Sequence, residues 1–246
     1  MANYKKRLDS GVLRTKIATN LILGILVVSV GSLCLSATDT GISADGNEIG
    51  LYRSAGEDGV GVSLMFNVYW GTDEVYRILQ TLKSHEATAT FFIGGCWADD
   101  NVECLIAIHA DGHEIGNHGY FHKDHAKLNL TNNQKEISSC NQFIELAIGI
   151  KPHLFAPPSG AYGNDMLSAC KAMNMQTILW TKDTIDWRDK DAALIYMRAT
   201  KDVKCGDFIL MHPMKETADA LEDILKYYDD NNLKTVTVSQ NLQKEG

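Results

Sequence analysis

Two stretches decide the fold: Ala87-Thr88-Ala89-Thr90-Phe91-Phe92-Ile93, and after it Asp111-Gly112-His113-Glu114-Ile115-Gly116-Asn117-His118-Gly119-Tyr120-Phe121-His122. Thr88 to Ile93 is a short apolar run rich in β-branched and aromatic residues, and it reads as a buried strand. His113 to Asn117 reads as a second strand, and it opens directly onto His118 and His122. An apolar strand that delivers polar side chains at its carboxyl end is how α/β folds arrange their chemistry.

Working outward from these stretches, the pattern repeats. Further strands are expected at Val60 to Val68, His153 to Ala156, Met175 to Trp180, Asp207 to Met211 and Lys234 to Val238. Amphipathic helical stretches lie between them, among them Thr72 to His85, Asn132 to Leu146 and Lys215 to Tyr228. Thr131 and Gln134 have the spacing of a capping box at the start of the second. Strand and helix alternating about seven times imply parallel strands with helical crossovers. A doubly wound sheet and an α/β barrel both satisfy that pattern. Polar and aromatic clusters follow the other strands: Asn67 to Gly71, Pro157 to Gly160, Asp183 to Trp187, and His212-Pro213. All are expected to converge on one mouth with His118 and His122.

The composition, 45% apolar and 22% charged with only four prolines in 246 residues, is that of a folded chain. The net charge of −8 excludes a nucleic-acid binder, which needs a basic face. That charge is unevenly spread. Residues 1–16 carry Lys5, Lys6, Arg7, Arg14 and Lys16 against Asp9, which gives this segment +4 and leaves −12 for the remainder. Behind it, Ile17 to Ala37 is a run of 21 uncharged residues, long enough at about 1.5 Å per residue to cross a hydrocarbon core of about 30 Å. Its length favours an uncleaved anchor over a cleaved signal, and Leu35-Ser36-Ala37 and Gly31-Ser32-Leu33-Cys34 are poor cleavage sequences.

The positive-inside rule then assigns residues 1–16 to the cytoplasm, 17–37 to a single membrane span, 38–58 to a linker and 59–246 to one domain outside the cell membrane. Beyond the span lie Cys96, Cys104, Cys140, Cys170 and Cys205, odd in number and without a CxxC pair. They read as small buried residues, with one disulfide left open.

His118 and His122 are separated by three residues, a spacing that lets two imidazoles meet on one ion. Together with the Thr88 to Ile93 strand and the strand-end clusters, this His-x3-His pair resembles the polysaccharide deacetylase (NodB homology) domain of carbohydrate esterase family four. The resemblance covers nearly all of Val60 to Leu242. It implies a distorted, incomplete (β/α) barrel of seven strands and zinc-dependent removal of N- or O-acetyl groups from polymers such as peptidoglycan, chitin or xylan. It also implies site residues: His118 and His122 as metal ligands, His212 as the acid that protonates the leaving amine, and Asp186 beside it.

Three positions depart from the family pattern. Where the first motif reads Thr-Phe-Asp-Asp-Gly, this chain has Met65-Phe66-Asn67-Val68-Tyr69. The base position is thus Asn67, an amide that takes up no proton, and the remaining ligand position is Val68, which has no donor atom. The Arg expected to hold the base is Ala156. Carboxylate and guanidinium have gone together, so no buried charge is left unpaired. The Asn-Val-x-Trp-Gly string also resembles a subgroup of membrane-anchored, sporulation-associated homologues in spore-forming Gram-positive bacteria.

Two functions follow. The domain is either still an esterase on acetylated cell-wall glycan, with Asp183 the one evident substitute carboxylate, or a catalytically silent domain that binds glycan or a wall-assembly partner. In the second case Tyr69, Trp70, Pro157, Pro158, Tyr162 and Trp187 are expected to line the groove. The chemistry favours silence, because loss of a base or of a metal ligand each removes a factor of about 10² or more. Any zinc site is then weak or absent.

Overall fold

The computed structural model describes residues 50–243; the expected cytoplasmic tail, the apolar span 17–37 and most of the expected linker lie outside them. Among the described residues no helix is long and apolar enough to cross a membrane.

The domain is built on one sheet of eight strands: β1 (Leu51–Tyr52), β2 (Ser63–Val68), β3 (Thr90–Ile93), β4 (Glu114–Asn117), β5 (Leu154–Phe155), β6 (Gln176–Ile178), β7 (Lys182–Asp183) and β8 (Phe208–Met211). Their order is β1-β6-β5-β4-β3-β2-β8-β7, and every strand pair is parallel. Between and after them run α1 (Thr72–Ser84), α2 (Gly95–Asp100), α3 (Val102–Ala110), α4 (Leu130–Ile148), α5 (Asn164–Ala172), α6 (Asp186–Asp189), α7 (Ala192–Thr200), α8 (Lys215–Asp230) and α9 (Val238–Leu242). The sheet curls without closing. An antiparallel bridge, Ser54 to Asp207, joins the β1 and β8 sides, with the Ala55 N–H donating to the Gly206 carbonyl at 2.9 Å.

Strand β2 is buried along its whole length, as a central parallel strand covered on both faces must be. Its period of two divides those faces. Leu64, Phe66 and Val68 pack with Val75, Ile78 and Leu221 in the layer beneath the helices, whereas Met65 joins Phe92, Leu154, Ala156 and Phe208 on the inner face. Asn67 continues the inner row, one step nearer the mouth.

Several expectations are corrected. Leu51 and Tyr52, read as linker, form an edge strand paired with β6, so residues 50–58 are part of the domain. Lys234 to Val238 is not a strand: it makes one bridge, Val62 to Thr235, and then turns into α9. Thr237 stops it by capping α9 in a complete capping box with Gln240. Conversely, the box expected at Thr131 is absent, because Asn129 lies earlier and its side chain accepts from the Asn132 N–H at 2.9 Å. The five cysteines of the domain are free thiols, three of them buried.

Candidate functional site

The strand ends converge as the sequence predicts. They surround a pocket of about 300 Å³, lined at its base by Asn67, His118 and His212 and at its rim by Trp70, Trp187 and Asp183. His122, Ser159, Trp180 and Leu210 complete the wall.

The β8 end is the most firmly organised part. Asp186 is 0% exposed and receives four hydrogen bonds. Its Oδ1 accepts from the Trp187 N–H at 2.8 Å and from His212 Nδ1 at 2.8 Å; its Oδ2 accepts from the His212 N–H at 2.6 Å and the Thr217 hydroxyl at 2.7 Å. A carboxylate that accepts at Nδ1 fixes the neutral ring's proton there and leaves Nε2 bare. Trp70 lies flat against the other face of the ring, with centroids 5.6 Å apart and planes 5° apart, and its indole N–H points to Met214 Sδ at 3.3 Å.

Gly71 makes that approach possible: its φ is +77°, and a Cβ there would lie 2.2 Å from the Pro213 carbonyl oxygen. On the other side of the dyad, Ile185 takes a left-handed φ of 54° to turn Asp186 inward. Arg198 holds that turn, donating to the Thr184 carbonyl at 2.7 Å and to Asp189 at 2.5 Å.

At the β4 end, Asn117 is the organiser. Its amide donates to the Ile137 carbonyl at 2.8 Å and Asn141 Oδ1 at 2.7 Å, and its oxygen accepts from the Gly119 N–H at 2.7 Å. The loop so fixed carries His118 and His122, whose rings meet edge to face at 5.1 Å. His118 Nδ1 donates to the Ala156 carbonyl at 2.7 Å, which again leaves Nε2 as the free nitrogen. Burial holds the His118 imidazole well below the usual histidine range, and the charge of a protonated His122 would push it the same way. Burial lowers His122 as well. Tyr69 packs on His122 at 4.7 Å.

The three departures take concrete form here. Asn67 faces the pocket at 3% exposure with no partner for its Oδ1. Val68 is fully buried in the helix-side core. Ala156 is packed among Met65, Phe92 and Phe208, with Trp180 against the same cluster where the resemblance places a guanidinium. Among the described residues no group of three His, Cys, Asp or Glu side chains is disposed to hold a metal ion. Two imidazoles without a carboxylate do not make a catalytic zinc site, which takes three protein ligands, so the residues present do not fit the family's metal.

The chain matches the family model for polysaccharide deacetylase over residues 56–178. It belongs to the polysaccharide deacetylase family. It is 37% identical to the uncharacterized protein YlxY of Bacillus subtilis over 179 residues, 73% of this chain and 56% of that one. It is 34% identical to the peptidoglycan-N-acetylmuramic acid deacetylase PdaC of the same organism over 67% of this chain and 35% of PdaC. The chain thus spans little more than half of one of these curated relatives and about a third of the other.

Among solved structures it overlays BA3943 of Bacillus anthracis, described as a carbohydrate esterase family four pseudoenzyme, with a TM-score of 0.76 at 30% identity, covering 79% of this chain and 69% of that one. A mutant of that protein with restored enzymatic activity gives a TM-score of 0.76 at 29% identity, over 79% and 71% of the two chains.

Within this deacetylase fold the expected site residues separate into two sets. His118, His122, His212, Trp70 and Trp187 line the pocket, with Asp186 behind His212. Pro157 is buried beside the pocket, Tyr69 stands behind His122, and Tyr162 packs away from the mouth while receiving a bond from Arg53 at 3.2 Å. Trp180 had no signal of its own, reading as the end of a strand, whereas Ser159 lies in the Pro157 to Gly160 cluster and enters through a left-handed φ of 56°.

Proposed function

We propose that this chain is an envelope-facing deacetylase-fold domain that binds cell-wall glycan through the old substrate pocket and hydrolyses it weakly or not at all. The observation that carries the reading is the contrast between the two halves of the site. The His212 and Asp186 pair and the indole walls are kept in good order, while base, third ligand and arginine are replaced by Asn67, Val68 and Ala156, all buried and uncharged. Water activation therefore lacks the carboxylate of the family's base position, now Asn67, and the third ligand for a polarising ion, now Val68. Indole faces suit sugar rings without a metal. The description of the structurally similar BA3943 as a pseudoenzyme supports the same reading.

Peptidoglycan is the glycan class suggested by PdaC, and residues 17–37 are the proposed single membrane anchor, with the domain outside. The test uses the full-length purified protein with N-acetylglucosamine oligomers and acetylated peptidoglycan fragments. Binding without acetate release, and well under one zinc per chain, is expected. Stoichiometric zinc together with acetate release that His212→Ala abolishes would overturn the reading.

A further inference from the structure

Unpaired acceptors stand out among the polar groups of the pocket. His118 and His212 both spend Nδ1–H on protein acceptors, the Ala156 carbonyl and Asp186, so each is left with Nε2 as its free nitrogen, an acceptor in the neutral ring. Asn67, buried on the same wall, has an Oδ1 without a partner. Asp183 uses one oxygen to accept from the Ile185 N–H at 2.8 Å, and its other oxygen has no partner among the described residues.

The charge is one-sided. Asp183 lines the pocket and Asp186 lies directly behind His212, but among the described residues no lysine or arginine lines it. Arg188, whose charge interacts with Asp183, is tied to Asp189 by two bonds of 2.6 and 3.1 Å and stands outside the wall. Three indoles, Trp70, Trp180 and Trp187, complete the surface, and indole is the strongest aromatic partner for a cation.

An acetamido carbonyl finds only neutral donors here, the Asn67 amide, the Ser159 hydroxyl and the indole N–H groups, and no cation, since the family's positions for a metal ligand and a guanidinium are Val68 and Ala156. It gains no charge-assisted bond there, and it leaves the Asp183 carboxylate and the free Nε2 atoms of His118 and His212 unanswered. An ammonium group offers three donors and a positive charge, and it answers each feature at once.

We propose that the pocket takes an amino sugar whose nitrogen is free and protonated, the de-N-acetylated form of a wall glycan, in preference to the N-acetylated form. This rests on the glycan-binding reading and names its ligand. The domain thereby becomes a reader of glycan that another amide hydrolase has already deacetylated, since this chain does not hold the parts to make that product itself.

The test compares two tetramers of equal length, N-acetylglucosamine tetramer and fully deacetylated glucosamine tetramer, by calorimetric titration of the full-length protein at a slightly acid pH and physiological salt. The free-amine tetramer is expected to bind at least about tenfold more tightly. Asp183→Asn keeps the oxygen that caps Ile185 and is expected to reduce that preference to about threefold or less. Glu57→Gln, an exposed carboxylate remote from the pocket in sequence and on a different turn, controls for general attraction to an acidic surface and is expected to keep the preference.

Tighter or equal binding of the N-acetylated tetramer overturns the inference and leaves the glycan-binding reading standing. Failure of both tetramers to bind overturns both. A preference unchanged by Asp183→Asn removes the assignment to this pocket.

Discussion

Asp186 grips His212 twice, through the ring Nδ1 at 2.8 Å and through the backbone N–H at 2.6 Å, so one buried carboxylate sets both the position of the residue and the tautomer of its ring. The Thr217 hydroxyl and the Trp187 N–H fill its remaining lone pairs. Four donors around Asp186 thus converge on one buried carboxyl group that, among the described residues, no lysine or arginine partners, a costly arrangement to maintain in a domain without turnover unless the ring it presents is used.

Asp186→Asn replaces one of these acceptor oxygens with an amide donor that faces other donors. The variant is expected to lose about 3 kcal/mol of stability, read from the shift of a urea denaturation midpoint. A two-dimensional NMR spectrum of the histidine rings is expected to show His212 losing its fixed Nδ1–H tautomer while His118 keeps its own.

Restoring the family's motif tests the mapping of the three altered positions. Val68→Asp alone places an unpaired carboxylate in the helix-side core and is expected to cost about 3 to 5 kcal/mol. Combined with Asn67→Asp and Ala156→Arg, it supplies a third ligand and a partner for the base. The triple variant is then expected to take up zinc, measured by titration against a chromogenic chelator, where each single variant takes up none. No gain in the triple variant would show that Val68 does not occupy the ligand position.

Much of this site was legible in the sequence because strand ends announce themselves. Short apolar runs such as Thr88 to Ile93 end where side chains turn polar, and in a parallel sheet those ends share one edge, so His118, Asn67 and His212 had to meet. What escaped has a common cause. Leu51–Tyr52 and Lys182–Asp183 are strands of two residues, too short for any period to register, and they exist only because a neighbouring strand offers free carbonyls and N–H groups. Lys234 to Val238 erred in the other direction: its β-branched residues read as a strand, but Thr237 with Gln240 competes locally and starts a helix. Ser159 reaches the pocket through positive φ at Ser159 and Gly160, which composition does not specify, and Trp180 packs so close to Gly160 that a Cβ there would lie 2.8 Å from its ring.

The histidines predict how stability follows pH. Burial lowers His113, His118, His122 and His125 below the usual value near 6.5, so the fold favours their neutral forms. Between the lowered values and about 6.5 the unfolded chain binds more protons, and stability therefore rises with pH there and is lost as pH falls below about 6.5. His85 opposes this trend: Asp229 and Glu222 raise it, so its contribution is full at low pH and fades as pH rises through its folded value. Four groups against one set the net sign. The denaturation midpoint is expected to drop between pH 7.5 and pH 5. His113, buried against Phe91 with both ring nitrogens unpartnered, contributes to that drop, and His113→Phe is expected to make it measurably smaller.

Gly71 sets the distance between the two halves of the pocket. The segment after β2 passes the His212-Pro213 segment so closely that a Cβ at position 71 would lie 2.2 Å from the Pro213 carbonyl oxygen, a backbone atom with no freedom to swing away. A left-handed φ of +77° adds strain for any residue with a side chain. Gly71→Ala must therefore separate Trp70 from His212 to fold at all. A stability loss of about 1 to 3 kcal/mol is expected from the backbone alone. The decisive readout is Trp70: with its indole moved off the imidazole, the variant is expected to lose near-ultraviolet circular dichroism intensity from the tryptophan held flat against His212. A variant that folds with that intensity intact would show that the stack does not need the close approach at Gly71.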